Sequence, residues 1–137
     1  MATKRRWVLT DVEKHTWIET LDLNAKDLGI PGRSPISIRK RALHGGLTEG
    51  VDVVEISNGA LSFTVVPTRG MSIWRGDYRG NRIGWLSPVR GPVNPKFVHA
   101  DERGGLGWLG GFDECIARCG AESNGPPGMD VAPNNMG

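Results

Sequence analysis

Alternation of apolar and polar positions is strongest in the middle of the chain. Residues 51–57 (VDVVEIS) and 60–66 (ALSFTVV) are β-branched runs on either side of Asn58 and Gly59. An Asn-Gly pair between two such runs predicts a two-residue hairpin, because a type I′ turn needs positive φ at both central positions. In the second arm Leu61, Phe63 and Val65 share one face, and Ser62 and Thr64 share the other. A third strand is expected over 71–78 after a turn at 67–70. Arg79, Gly80 and Asn81 then turn the chain into a strand over 82–86. Ile36, Ile38 and Ala42 mark a short strand ahead of the hairpin. Successive strands joined by short turns describe a mainly β protein built as an antiparallel meander.

Outside this centre the pattern weakens. Residues 1–35 hold scattered apolar points (Trp7, Val8, Leu9, Trp17, Ile18, Leu21, Leu23) and end in a proline- and glycine-rich turn segment, 29–35. They are expected to form an amino-terminal arm or edge segment, with the sheet domain proper over 36–137. Residues 91–128 carry nine glycines and four prolines. Phe97, Trp108 and Phe112 make this a folded, loop-rich face rather than a disordered tract. Its one regular piece, 112–119, fits a helix or a buried strand equally well.

Composition narrows the class. The 137 residues are 38% hydrophobic and 23% charged, with a net charge of +2, which suits one soluble globular domain. Basic clusters at Lys4-Arg5-Arg6 and Arg39-Lys40-Arg41 read as solvated faces, so no nucleic-acid partner is expected. No apolar run approaches the ~18 residues of a membrane span, and nothing at the start resembles a secretory signal. Two cysteines, Cys115 and Cys119, make no disulfide framework, so a cytoplasmic location is the default.

Few residues offer themselves for chemistry. His15 and His99 lack partners at metal-ligand spacing, and the two cysteines lack further ligands, so no metal and no cofactor are expected. Asp113 and Glu114 are adjacent, and neighbouring residues on a strand point to opposite faces, which argues against a carboxylate dyad. The glycines of 104–111 do not open a helix or end in Gly-Lys-Ser/Thr, so they form no nucleotide loop. There remains a mix of aromatic and planar polar groups: Arg69, Trp74, Trp85, Trp108, Arg118, Glu122 and Asn124. Sugar sites use this mix, with aromatic faces against C–H groups and guanidinium, carboxylate or amide groups on hydroxyls.

The segments 50–59 (GVDVVEISNG), 67–71 (PTRGM), 84–88 (GWLSP), 110–112 (GGF) and 118–125 (RCGAESNG) follow one another in the order of the DUF4432 family, which the chain resembles. That family is similar to the aldose 1-epimerases, or galactose mutarotases. The resemblance implies the amino-terminal part of a mutarotase-like β supersandwich that binds a sugar across one sheet. It places Arg69, Arg118, Glu122 and Asn124 in segments that line the sugar site. In the mutarotases a histidine and a glutamate exchange protons with the ring oxygen and the anomeric hydroxyl. His44 lies in a similar Leu-His-Gly-Gly string but precedes the hairpin, the wrong place for that histidine.

By the same resemblance Gly137 precedes both catalytic groups, so no catalytic residue is assigned and the chain alone is expected to be inactive. The leading expectation is therefore carbohydrate binding by a fragment of an aldose 1-epimerase-like protein. Such a fragment should self-associate through exposed sheet edges. The alternatives are a stand-alone carbohydrate-binding module and a tryptophan-rich interaction domain.

Overall fold

A computed structural model describes residues 5–117. Thr10–Asp11 (β1) and Thr16–Trp17 (β2) form a two-stranded ribbon. Six further strands follow in chain order: Leu21–Asn24 (β3), Ser37–Leu43 (β4), Val51–Ser57 (β5), Leu61–Val66 (β6), Ser72–Tyr78 (β7) and Asn81–Ile83 (β8). Each pairs antiparallel with its chain neighbour, in the order β3-β4-β5-β6-β7-β8. The fold is thus the expected antiparallel meander, with β3 and β8 at its edges.

The turns that close it differ in detail from the sequence reading. Asn58 is not left-handed. Only Gly59 has a positive φ (89°), and the Asn58 side-chain oxygen accepts from the amides of Ala60 and Leu61 at 3.0 and 2.7 Å. The carboxamide takes up amides that a two-residue I′ turn would leave to the backbone, so the turn centre moves one residue on. The tight two-residue turn occurs instead between β7 and β8, where Arg79 and Gly80 both have positive φ.

Register sorts the side chains into rows across the sheet. One face carries Leu23, Ile38, Ile56, Phe63, Gly76 and Ile83 in one row, and Lys40, Val54, Val65 and Ile73 in the next. The other face carries Asp22, Arg39, Glu55, Thr64 and Arg75 in one row, and Ser37, Ser57, Ser62, Asp77 and Arg82 in the next. One face is therefore apolar and one polar over most of its width.

At one end the polar face closes over a small core of Val51, Val53 and Val66, with Leu43 and Trp74 packed against it. Val51 and Val66 are fully buried. Each contributes about 1.5–3 kcal/mol relative to an exposed position.

Lys40 departs from the solvated basic cluster expected at 39–41. It is 2% exposed, and its Nζ lies 2.7 Å from Asp52 Oδ1 and 5.1 Å from the centre of the Trp17 ring. Strand alternation sends Arg39 and Arg41 to the polar face and Lys40 to the opposite one. Trp17 donates to Asp52 Oδ2 at 3.1 Å, so a residue of the amino-terminal ribbon covers this ion pair.

The loop-rich half packs along β7. Residue Ile73 exchanges backbone hydrogen bonds with Ile116 at 2.8 and 3.0 Å, and Cys115 N–H donates to Trp74 O at 3.1 Å. Because β8 pairs only with the far end of β7, this stretch of edge is open to the incoming chain. The described part of 112–119 is accordingly extended, and the helical reading falls. Cys119 lies outside the described residues.

Candidate functional site

The polar face carries a groove. Its first part, about 320 Å³, is bordered by Asp22, Arg39, Arg41, Glu55, Thr64, Trp74 and Arg75. A second part, about 270 Å³, shares Glu55, Thr64 and Arg75 and continues to Ser62, Asp77 and Arg82. A third, about 130 Å³, shares Trp74 and Arg82 and ends against Trp85, Ser87, Arg90 and Asp113. Common walls make these one continuous depression across the sheet.

Irregularity in β7 shapes its centre. The register shifts between Thr64 and Val65, whose partners are Arg75 and Ile73, so Trp74 is the extra residue of a bulge. Both Trp74 and Arg75 consequently border the groove, with the Arg75 guanidinium 4.1 Å from the centre of the Trp74 ring. Arg39 is held by Asp22 at 3.4 Å. Among the described residues, Arg75, Arg41 and Glu55 form no salt bridge.

Asp113 closes one end. It is 5% exposed, and its Oδ1 has no hydrogen-bond partner among the described residues. Burial, then the neighbouring Glu114 charge, push its carboxyl up to about 6, against the opposing pull of Arg69 and the Trp74 indole. A Cβ on Gly91 would stand 2.5 Å from Asp113 Oδ2, so only glycine leaves that carboxyl its place.

The raised pKa carries a stability consequence. The folded state holds this proton more tightly than the unfolded one. The associated stabilisation is complete below the ordinary carboxylate value and is lost as pH rises through about 6. Urea unfolding at pH 4 and pH 7.5 should show a decline on the order of 3 kcal/mol from this group. Asp113→Asn should remove that decline, and an unchanged slope in the variant would refute the assignment.

On the far side of the same segment, Glu114 forms an ion pair with Arg69 Nε. Arg69 Nη1 also donates to Val93 O at 2.9 Å. Adjacent Asp113 and Glu114 thus serve different neighbours, as their sequence spacing implied. Arg69 lies apart from the groove and borders a separate hollow of about 450 Å³ with Thr68, Trp108, Phe112 and Glu114. Phe112 joins the two regions, its ring centre 5.6 Å from that of Trp85 and 5.5 Å from that of Trp108.

Of the residues singled out in the sequence, Trp74 and Trp85 border the groove, and Arg69 and Trp108 border the hollow. Arg118, Glu122 and Asn124 lie outside the described residues. The polar row of Asp22, Arg39, Glu55 and Arg75 was missed, because no local motif marks it. The available signal was the set of polar positions alternating along each strand.

Elsewhere, His44 sits 3.1 Å from Glu49 and 3.7 Å from Glu19. Its hydrogen bond to Glu49 raises its pKa, and it has no part in the groove. Among the described residues no group of three or more His, Cys, Asp or Glu could hold a metal ion, and no helix is long and apolar enough to cross a membrane.

The family model for a domain of unknown function, DUF4432, matches residues 48–136. The chain belongs to this family. A solved structure from Klebsiella pneumoniae subsp. pneumoniae, provisionally named an aldose 1-epimerase, is 40% identical, with a TM-score of 0.73. The match covers 79% of this chain and 28% of that one, so the chain spans under a third of its relative's length. No curated protein matches. Together with the meander, the likeness identifies a β-rich, aldose 1-epimerase-like chain.

Proposed function

We propose that this chain binds a monosaccharide in the groove on the polar face, as part of an aldose 1-epimerase-like protein. The observation that carries the proposal is the groove's lining: Trp74 and Arg75 stacked at its centre, facing Glu55, Thr64 and the Asp22–Arg39 pair. Aromatic edges bordering the groove suit the C–H groups of a pyranose, while planar charged groups select hydroxyl directions. The polar lining has both signs of charge, which favours a neutral polyhydroxylated ligand over a strongly anionic one. The provisional name of the Klebsiella protein points to the same ligand class.

A second reading puts the sugar in the hollow beside Arg69. It is favoured by the Trp108 and Phe112 walls around the Arg69–Glu114 pair, and it would recruit Arg118, Glu122 and Asn124 from the following chain. Isothermal titration with D-glucose, D-galactose and D-mannose separates the two. Arg75→Ala should weaken binding about tenfold, the worth of one charged hydrogen bond, while Trp108→Ala leaves it unchanged. The reverse pattern would favour the hollow. No saturable binding to any hexose would defeat both.

A further inference from the structure

The groove holds two parts of similar size side by side. The first, about 320 Å³, already reaches the ~300–1,000 Å³ of pockets that enclose small ligands. One hexose ring fits there whole and leaves the second part, about 270 Å³, unfilled. Glu55, Thr64 and Arg75 border both parts, so a ligand can run from one into the other.

The second part has polar groups of its own. Ser62, Asp77 and Arg82 border it, and they are successive cross-strand partners on β6, β7 and β8. Their row lies two residues along the strands from Thr64 and Arg75, which is ~7 Å and about the length of one pyranose ring. Asp77 and Arg82 oppose each other in register, yet form no salt bridge among the described residues. Asp77 Oδ1 accepts from Gly80 N–H at 2.8 Å, and Arg82 Nη2 donates to Trp85 O at 3.2 Å. The second carboxylate oxygen and most of the guanidinium donors therefore keep unused hydrogen-bonding capacity. An acceptor beside a donor suits neighbouring sugar hydroxyls, each of which can do both.

Beyond this row the room runs out. The third part, about 130 Å³, has space for roughly four waters at ~30 Å³ each, too little for a ring. In the other direction β8 is the edge of the sheet, so among the described residues nothing meets a chain that continues past Arg82. We infer that the groove takes a neutral oligosaccharide and binds two of its units, one beside Trp74 and the next against Ser62, Asp77 and Arg82. The inference rests on the sugar-binding reading above and adds chain length to it as the property the second part selects.

The test is isothermal titration of the whole chain with D-glucose, D-galactose, maltose, cellobiose, lactose, maltotriose and cellotriose, on wild type, Asp77→Asn and Arg82→Gln. One added charged hydrogen bond should make the best disaccharide bind about tenfold more tightly than the better hexose, with its trisaccharide equal to it within about twofold. In each variant the ratio of disaccharide to hexose affinity should fall toward one. Saturable hexose binding with no gain for any disaccharide overturns the inference and leaves the monosaccharide reading standing; this comparison needs no variant to fold. A gain that both variants retain overturns the placement of the second unit, and a further gain for a trisaccharide overturns the limit of two. No saturable binding to any of these sugars overturns the inference and the sugar reading together.

Discussion

Replacing Arg69 with methionine is expected to lower stability by about 3–5 kcal/mol, the usual cost of stranding one partner of a buried ion pair. The Glu114 side chain is 3% exposed, and its carboxylate faces Arg69 while the Asp113 carboxyl follows close behind. Without the guanidinium, the buried Glu114 carboxylate would be left without its cationic partner. Arg69 also ties the turn after β6 to the carbonyl of Val93 in the loop-rich half. Its loss should therefore loosen 91–114 more than the sheet. Gly111 supports the same arrangement, since a Cβ there would fall 2.7 Å from Val98 Cγ2 and 3.1 Å from Arg69 Nη1.

The check is urea unfolding at pH 7.5, with Glu114→Gln added to the Arg69→Met background. The second substitution removes the stranded charge and should recover part of the loss. A loss under about 1 kcal/mol for Arg69→Met, as surface pairs give, would mean the pair is solvated and does not hold the loops.

The second large effect is expected at Asp52. Asp52→Leu strands the ammonium of Lys40, which is 2% exposed, and removes the acceptor of the Trp17 indole. A loss of about 3–5 kcal/mol is expected. The double variant Lys40→Met/Asp52→Leu should come close to wild type, because matched apolar replacements avoid the cost of burying two charges. The two variants together separate the cost of an unpaired charge from the net worth of the pair. If the double variant is as unstable as the single one, the contribution lies in Trp17 packing and not in charge.

Much of the sheet could be read along the chain because its information is local. The runs 51–57 and 60–66 alternate in a way that only a half-buried strand explains, and Arg79-Gly80 supplies positive φ where the chain must reverse. Details failed where side chains compete with the backbone. The Asn58 carboxamide captured two amides and moved its turn by one residue.

The groove was far less legible. Asp22, Arg39, Glu55, Thr64 and Arg75 stand far apart in sequence and become one row only once the register of five strands is fixed. The same holds for Lys40, whose burial depends on which face the alternation assigns to it. Asp113 was visible as a carboxylate, but its isolation depends on Gly91 and the packing of the segment along β7. Resemblance pointed to Arg69, which borders the hollow while its side chain pairs with Glu114 and donates to Val93 O.

The most direct test of a sugar-binding polar face is a hexose titration followed through the five tryptophan indole N–H resonances by NMR. Binding in the groove predicts saturable shifts of the Trp74 and Trp85 signals, with those of Trp7, Trp17 and Trp108 unmoved. Saturable shifts at Trp108 alone, or no saturable shift with D-glucose, D-galactose or D-mannose, would contradict it.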